Sequence, residues 1–467
     1  MIRLTAVAAA AVLLGGCASF SPDGGFGSVQ QLTQQRTGQT PALLKKPADV
    51  DTAQARVAEL LVQPLSADSA VEVALLNNRG LQANFAELGI AEAVLVQAGR
   101  LRSPTLSFGR LAGGGIVEID RAIIFDLLRL FTMPAAMRLE KGRFEQAQLR
   151  AAHEAVGVAA EARRAFFSAV AAQELAKYGA QVKEAADASN ELARRMLQAG
   201  NFSKLQQMRE QAFYADATSQ LARAMHQSVA ERERLTRVLG LSGDLPAFTL
   251  PDRLPELPAS PVEPKDAEQT AMDKRLDVLM AKRSAESVAQ SMGFTKATRW
   301  INVLDAGYQN KSQTGGQRQN GYQIDLELPL FDFDSPRVAR AEAIYMQALH
   351  RAADVANNAR SEVRESYSAY RTAYDLARHY RDEVVPLRKR ISDENLLRYN
   401  GMLSSVFELI ADAKDQVGSV TGYVEALRDH WIAATHLQTA LTGRSPGDVN
   451  ALSRSSAGAP NGAGPSH

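Results

Sequence analysis

Glu408 and Asp412 are the residues whose types and spacing best fit a chemical task. They lie four apart on a segment that reads as helix, so their carboxylates share one face. Presented repeatedly around a symmetry axis, that face would form stacked acidic rings that bind cations and hold a passage narrow. The alternative is a pair of solvated acids on an outer surface. Pro386, upstream, is placed to kink the neighbouring helix inward. Reactive groups are otherwise sparse. The seven histidines are scattered, with no pair at metal-ligand spacing on one helix, and no Gly-rich phosphate loop occurs. Met196 and Met208 are soft donors near one turn, but their spacing is that of methionines filling a helical core. No catalytic residue, metal or cofactor is expected. A net charge of +1, with no basic block, gives nucleic acid no electrostatic footprint.

Cys17, the only cysteine, closes an N-terminal pattern and excludes an intramolecular disulfide. Arg3 gives a positive start, Leu4 to Leu14 a short apolar run, and Leu14-Gly15-Gly16-Cys17 its end, which marks a processing segment. Residues 1–16 resemble a bacterial lipoprotein signal, whose final cysteine is acylated and becomes the first residue of the mature chain. The alternative is an ordinary signal peptide with an incidental Cys17. Ala18 and Ser19 stand where an aspartate would retain a lipoprotein in the inner membrane, so this resemblance implies the outer membrane and its lipid. One acyl group is a modest anchor. No later run has the length and apolarity of a transmembrane helix.

The elements that must position the acids and turns form two similar halves. Tyr178, Gly200 and Ser203 realign on Tyr380, Gly401 and Ser404, and Leu130-Phe131 on Leu330-Phe331. A spacing of about 200 residues means duplication of a structural half rather than a solenoid repeat. Residues 17–65 read as a poorly ordered, lipid-anchored leader, 66–241 as the first repeat and 265–443 as the second. Between the repeats, 242–264 is a Pro-rich linker, and 444–467 is a Ser-, Gly- and Pro-rich tail expected to be disordered. Each repeat reads helix, strand pair, very long helix, tight turn, return helix.

The first helix is predicted from about Ser66 to Arg100, capped by Ser66, Asp68 and Ser69. Strands are predicted at Thr105 to Leu111 and Val117 to Leu130, around Gly113-Gly114-Gly115. The second pair is Trp300 to Gln309 and Tyr322 to Phe331, joined through the polar stretch 310–317. Tyr322, Ile324, Leu326, Leu328 and Leu330 alternate with mostly polar neighbours, the mark of a two-faced strand. Its length suits a tilted membrane strand; a soluble hairpin is the alternative. The long helices, Pro134 to Gln198 and Pro336 to Arg398, begin at prolines and would each extend roughly 100 Å. They end in Gly200-Asn201-Phe202-Ser203 and Gly401-Met402-Leu403-Ser404. There glycine supplies the left-handed residue and serine caps the return helix. Phe202 and Leu403 are apolar side chains at turns expected to be exposed.

Four strands cannot close a membrane barrel, whose smallest bacterial form has eight. Three chains would supply twelve, enough for an open lumen. The expected fold is therefore mainly α with membrane β, its strands shared among copies.

This ordered combination resembles the lipid-anchored branch of the TolC-family outer-membrane efflux proteins, over about residues 66–443. The carriers are the segment ending at Cys17, the tandem repeat, Leu328-Pro329-Leu330-Phe331-Asp332, Tyr399-x-Gly401 and Leu409-Ile410-Ala411-Asp412-Ala413. The resemblance implies a homotrimer, a twelve-stranded β-barrel in the outer membrane continued by a long α-helical barrel in the periplasm. It implies docking of a periplasmic adaptor (membrane fusion) protein at the tips (Gly200, Phe202, Ser203, Gly401, Leu403, Ser404) and an inner-membrane pump beyond it. It also implies a periplasmic gate near Asp412; an extra residue before that segment leaves the register, and Glu408, open. Two alternatives remain, a lipid-anchored periplasmic adaptor and the outer-membrane duct of a type I protein secretion system. An adaptor carries one hairpin, where this chain predicts two.

Overall fold

The structure, a computed structural model, describes residues 19–242, 247–301, 303–328, 335–403 and 405–447. The chain divides into two compact units, and the first comprises Met1–Val29, Ala83–Ala151 and Val278–Asn357. Its centre is an antiparallel sheet in the order β1-β2-β3-β4, formed by Thr105–Gly113, Ile116–Asp126, Val303–Gln313 and Gln319–Glu327. The strands fall within a few residues of their predicted places, and two of the differences have a visible cause. β2 ends at Asp126 because the Asp126 carboxylate accepts the Arg129 N–H at 2.8 Å and starts a helix there. Leu130 and Phe131 are therefore helical, and Pro134 lies inside the helix rather than opening it. β3 extends past Gln309 because the polar residues after it still pair; the Asn310 amide donates to Asn320 Oδ1 across the ladder at 2.6 Å. The predicted strand end at Pro329-Leu330-Phe331 and Asp332 lies outside the described residues.

The helices, in chain order, are α1 (Phe26–Thr37), α2 (Pro47–Val62), α3 (Ala67–Asn77), α4 (Arg79–Ala98), α5 (Leu127–Gln198) and α6 (Lys204–Leu239). They continue with α7 (Ala267–Lys274), α8 (Leu276–Ala297), α9 (Ser335–His379), α10 (Val385–Asn400) and α11 (Val406–Thr442). A π-helical turn, Tyr380–Val384, joins α9 to α10.

The predicted leader contains two helices. In the first unit Phe26 meets Phe85 edge-on, with ring centres 4.9 Å apart. In the second unit, Gln30–Gln82 with Ala152–Asp277 and Asn358–His467, Arg36 donates to the carbonyls of Lys274 and Thr442 at 2.7 and 2.8 Å. Those carbonyls end α7 and α11, where a cation is favoured. Val57 and Leu61 are buried one turn apart. Few apolar residues suffice because neighbouring helices cover them.

The single helix predicted to end at Arg100 is split at Asn78. Ser66 caps α3 as expected, accepting the Ser69 N–H at 3.0 Å. Asn78 then caps α4 through Leu81 N at 3.0 Å. The side-chain amides of Asn77 and Asn78 donate to the carbonyls of Gly240 and Val238 at the end of α6. Satisfying those carbonyls outweighs two more residues of helix.

The Pro-rich segment is a strap rather than a spacer. Phe248, Leu250, Leu254 and Leu257 are buried. Its carbonyls at Pro255 and Pro258 accept from Trp431 Nε1 and Tyr374 Oη, and its Val262 N–H donates to Tyr370 Oη. Beneath it Trp431 stacks on Phe167 and meets His430 edge-on. Of the predicted tail, Arg444 to Gly447 are described and Ser445 is fixed by the Glu362 carboxylate at 2.9 Å; 448–467 lie outside the described residues.

Candidate functional site

Over the half of the sheet nearer the helices the two faces differ in polarity, and towards the loop end the apolar face gives way to Arg121, Asn310 and Asn320. Residues directly opposite on neighbouring strands share a face. One row reads Leu106, Ile123, Tyr308, Tyr322 across all four strands, and the next on that face Phe125, Ala306, Ile324. The opposite face carries Ala122, Gln309, Gly321 in one row and Asp126, Asp305, Asp325 in another. Lys311 there lies 3.7 Å from Asp120 and 4.0 Å from Glu118. Strands of 9 to 11 residues with this separation fit an apolar solvent on one side and water on the other. The outer edges of β1 and β4 have no partner strand among the described residues. No described helix is long and apolar enough to cross a membrane.

The two helical hairpins end in turns of the same kind. In the first, Asn201 N–H reaches Met196 O at 2.9 Å and Gly200 N–H reaches Leu197 O at 3.0 Å. Gly200 takes φ +76°, so the turn is a Schellman cap. Ser203 Oγ accepts Gln206 N–H while Gln206 Oε1 accepts Ser203 N–H, a closed capping box. The second hairpin corrects the predicted alignment by one residue. Leu403 N–H reaches Arg398 O, Met402 N–H reaches Tyr399 O, and the left-handed residue is Met402 at φ +61°. Gly401 has φ −81° and does not use its freedom. The helix is capped by Ser405, which accepts the Glu408 N–H, and Ser404 lies outside the described residues. Met402 thus answers Gly200 and Ser405 answers Ser203, each pair 202 residues apart, as are Tyr178 and Tyr380. Phe202 is half-buried rather than exposed; Leu403 is 82% exposed.

The corrected spacing brings out an acid that the sequence reading missed. Glu210 stands 202 residues before Asp412, at the same place on the first return helix. Glu210 is buried and accepts from Ser189 Oγ of α5 at 2.9 Å. Asp412 is half-buried and accepts from the Asn395 side-chain amide of α10. Both carboxylates are held by a polar side chain of the helix they pack against. Glu408 is exposed at the start of α11, one turn from Asp412. Near them Arg388 and Asp415 pair at 2.8 Å.

Pro386 does disturb the second long helix. It has no N–H to offer the Asp382 carbonyl four residues back, and the π turn falls immediately before it, with Val385 N–H reaching Tyr380 O. Met196 is half-buried but Met208 is exposed, so Met208 is not core filler. Among the described residues no group of His, Cys, Asp and Glu could hold a metal ion. Cys17 lies outside the described residues.

No protein-family model matches the chain, and no curated protein sequence matches it. Solved structures do. The outer-membrane channel OprN superimposes with a TM-score of 0.67 at 17% identity, over 88% of this chain and 95% of its own. The open state of the Neisseria gonorrhoeae MtrE outer-membrane channel gives 0.65 at 14%, over 84% and 91%. The Campylobacter jejuni CmeC outer-membrane channel gives 0.62 at 14%, over 89% and 92%. At such identities the likeness is one of fold, and it extends along nearly the whole of each channel. The chain has the TolC-like fold of the outer-membrane channels.

Proposed function

We propose that the chain is the outer-membrane channel of a tripartite efflux system, a passive trimeric duct anchored by a lipid on Cys17. The observation that carries this reading is the four-stranded sheet, with an apolar band on one face, polar and acidic rows opposite it, and outer edges that have no partner strand among the described residues. Three copies joined edge to edge make twelve strands, a closed wall with lipid outside and water within. A periplasmic adaptor protein would have no use for a two-faced sheet of membrane length, and that favours the duct over the adaptor.

In this reading residues 66–241 and 265–443 are the two repeats, and their helices continue the barrel through the periplasm. The tips at Gly200, Phe202, Ser203 and at Gly401, Leu403, Ser404 receive the adaptor, which links the duct to an inner-membrane pump. Asp412, with Glu408 one turn away, forms the periplasmic gate, and Glu210 is its counterpart in the first hairpin. Transport through such a duct needs no catalytic group; the pump supplies the work and selects the substrate. Removing the protein from its cell should increase retention of exported small molecules, with the wild-type chain recovered in the outer-membrane fraction. Unchanged retention across a broad panel of such compounds would overturn the efflux assignment.

A further inference from the structure

A cavity of about 430 Å³ lies between α5, α6 and α11 in the second unit, within the size range of small-molecule sites. Three guanidinium groups line it, from Arg164, Arg234 and Arg428. Two have acidic partners. Arg428 pairs with Asp429 at 2.8 Å, and Arg234 lies 4.0 Å from Glu231. Arg164 has none in hydrogen-bond reach among the described residues. Its one favourable charge is Glu161, a turn back on the same helix, while Arg234 and Arg444 repel it. Burial first, then those like charges, hold Arg164 below the usual arginine range. His436, also in the wall, is pushed down to about 4, by burial first and then by Arg164, so it brings no second cation at neutral pH.

A half-buried guanidinium with no protein acceptor is poorly satisfied, and its natural complement is an oxyanion held by two parallel N–H···O bonds. A second loose end adjoins it. Glu231 Oε2 is buried and has no hydrogen-bond partner, so it is ready to accept from a donor. The rest of the wall is mixed: Ser168 and Gln227 are polar, while Leu175 and Ile432 supply an apolar patch.

We propose that this cavity binds a small amphipathic organic anion that also carries a hydrogen-bond donor. Its carboxylate or phosphate lies on Arg164, its donor meets Glu231 Oε2, and its apolar body lies against Leu175 and Ile432. This goes beyond the duct reading and does not depend on it.

The test uses the purified full-length protein in non-ionic detergent, titrated calorimetrically with salicylate, phenol and inorganic phosphate. Salicylate, which combines a carboxylate, a hydroxyl and a ring, should bind with a sub-millimolar dissociation constant and raise the melting temperature. Phenol and phosphate should bind at least ten-fold more weakly. Arg164→Gln should weaken salicylate at least ten-fold, and in anion-free buffer it should melt no lower than wild type. Arg164→Lys, which keeps the charge and loses the fork, should fall between. No salicylate binding, equal binding by Arg164→Gln, or phosphate as tight as salicylate overturns the proposal. So does a lower melting temperature of Arg164→Gln in anion-free buffer, because it would mean that Arg164 is already satisfied.

Discussion

At the residue scale, Met402 occupies a backbone conformation that suits glycine, with its side chain 92% exposed at the second tip. The left-handed conformation costs an ordinary residue about 1–2 kcal/mol. Met402→Gly should therefore stabilise the hairpin end by roughly 1 kcal/mol, and Gly200→Met should weaken the first by a similar amount. Slower amide exchange around Arg398 to Leu409 in Met402→Gly is the check. The sequence hid this position because Gly401 stands beside it and attracts the alignment. Once Gly401 is taken for the left-handed residue, Ser404 becomes the cap and Leu403 the match of Phe202. The one-residue shift also hid the correspondence between Glu210 and Asp412. Buried His430 offers a second test. Burial among Tyr370, Tyr374 and Trp431 pushes its pKa down to about 4, against about 6.5 in an unfolded chain. Above pH 6.5 both states hold a neutral ring. As pH falls from 6.5 towards 4 only the unfolded chain takes the proton, so stability is lost across that window by about 3 kcal/mol. His430→Phe should flatten that part of the acid-denaturation profile; an unchanged slope between pH 6.5 and 4 would count against it.

At the scale of elements, period carried the reading where a segment had one face to bury. The alternation from Tyr322 to Leu326 located β4, and the serine signals located the return helices to within a few residues, whereas the first long helix begins at Leu127, seven residues before the proline expected to open it. The errors share a cause: local composition looked unstructured while distant partners supplied the order. The polar residues after Gln309 extend β3 because they pair with β4. The strap after residue 246 is fixed by hydroxyl and indole donors from α9 and α11, and α1 and α2 are held by contacts made far along the chain. The π turn was legible only in part, since Pro386 announces a disturbance but not its form. Gly422 is the residue that accommodates it. A Cβ there would come within 2.8 Å of the Tyr380 ring, so α11 passes the turn in close contact. Gly422→Val should cost about 1–3 kcal/mol through overpacking, read as a lower melting temperature. Adding Tyr380→Ala should recover part of the loss, because it removes the opposing ring.

At the scale of the molecule, the chain carries a four-stranded sheet, β1 to β4. Its strands have the length of tilted membrane strands, one face carries an apolar band, and the outer edges have no partner strand among the described residues; the four strands, too few for a barrel, were legible in the sequence. What the sequence did not reveal is the apolar band on one face, because rows such as Leu106, Ile123, Tyr308 and Tyr322 exist only once the register between β2 and β3 is fixed. Closure by three copies is the central claim, and it accounts for the edges, the faces and the strand number together. The most direct measurement is the native mass of the detergent-solubilised complex. The account predicts three chains per particle, persisting on dilution, since each chain needs its neighbours to pair β1 and β4. A stable monomer or dimer would contradict it.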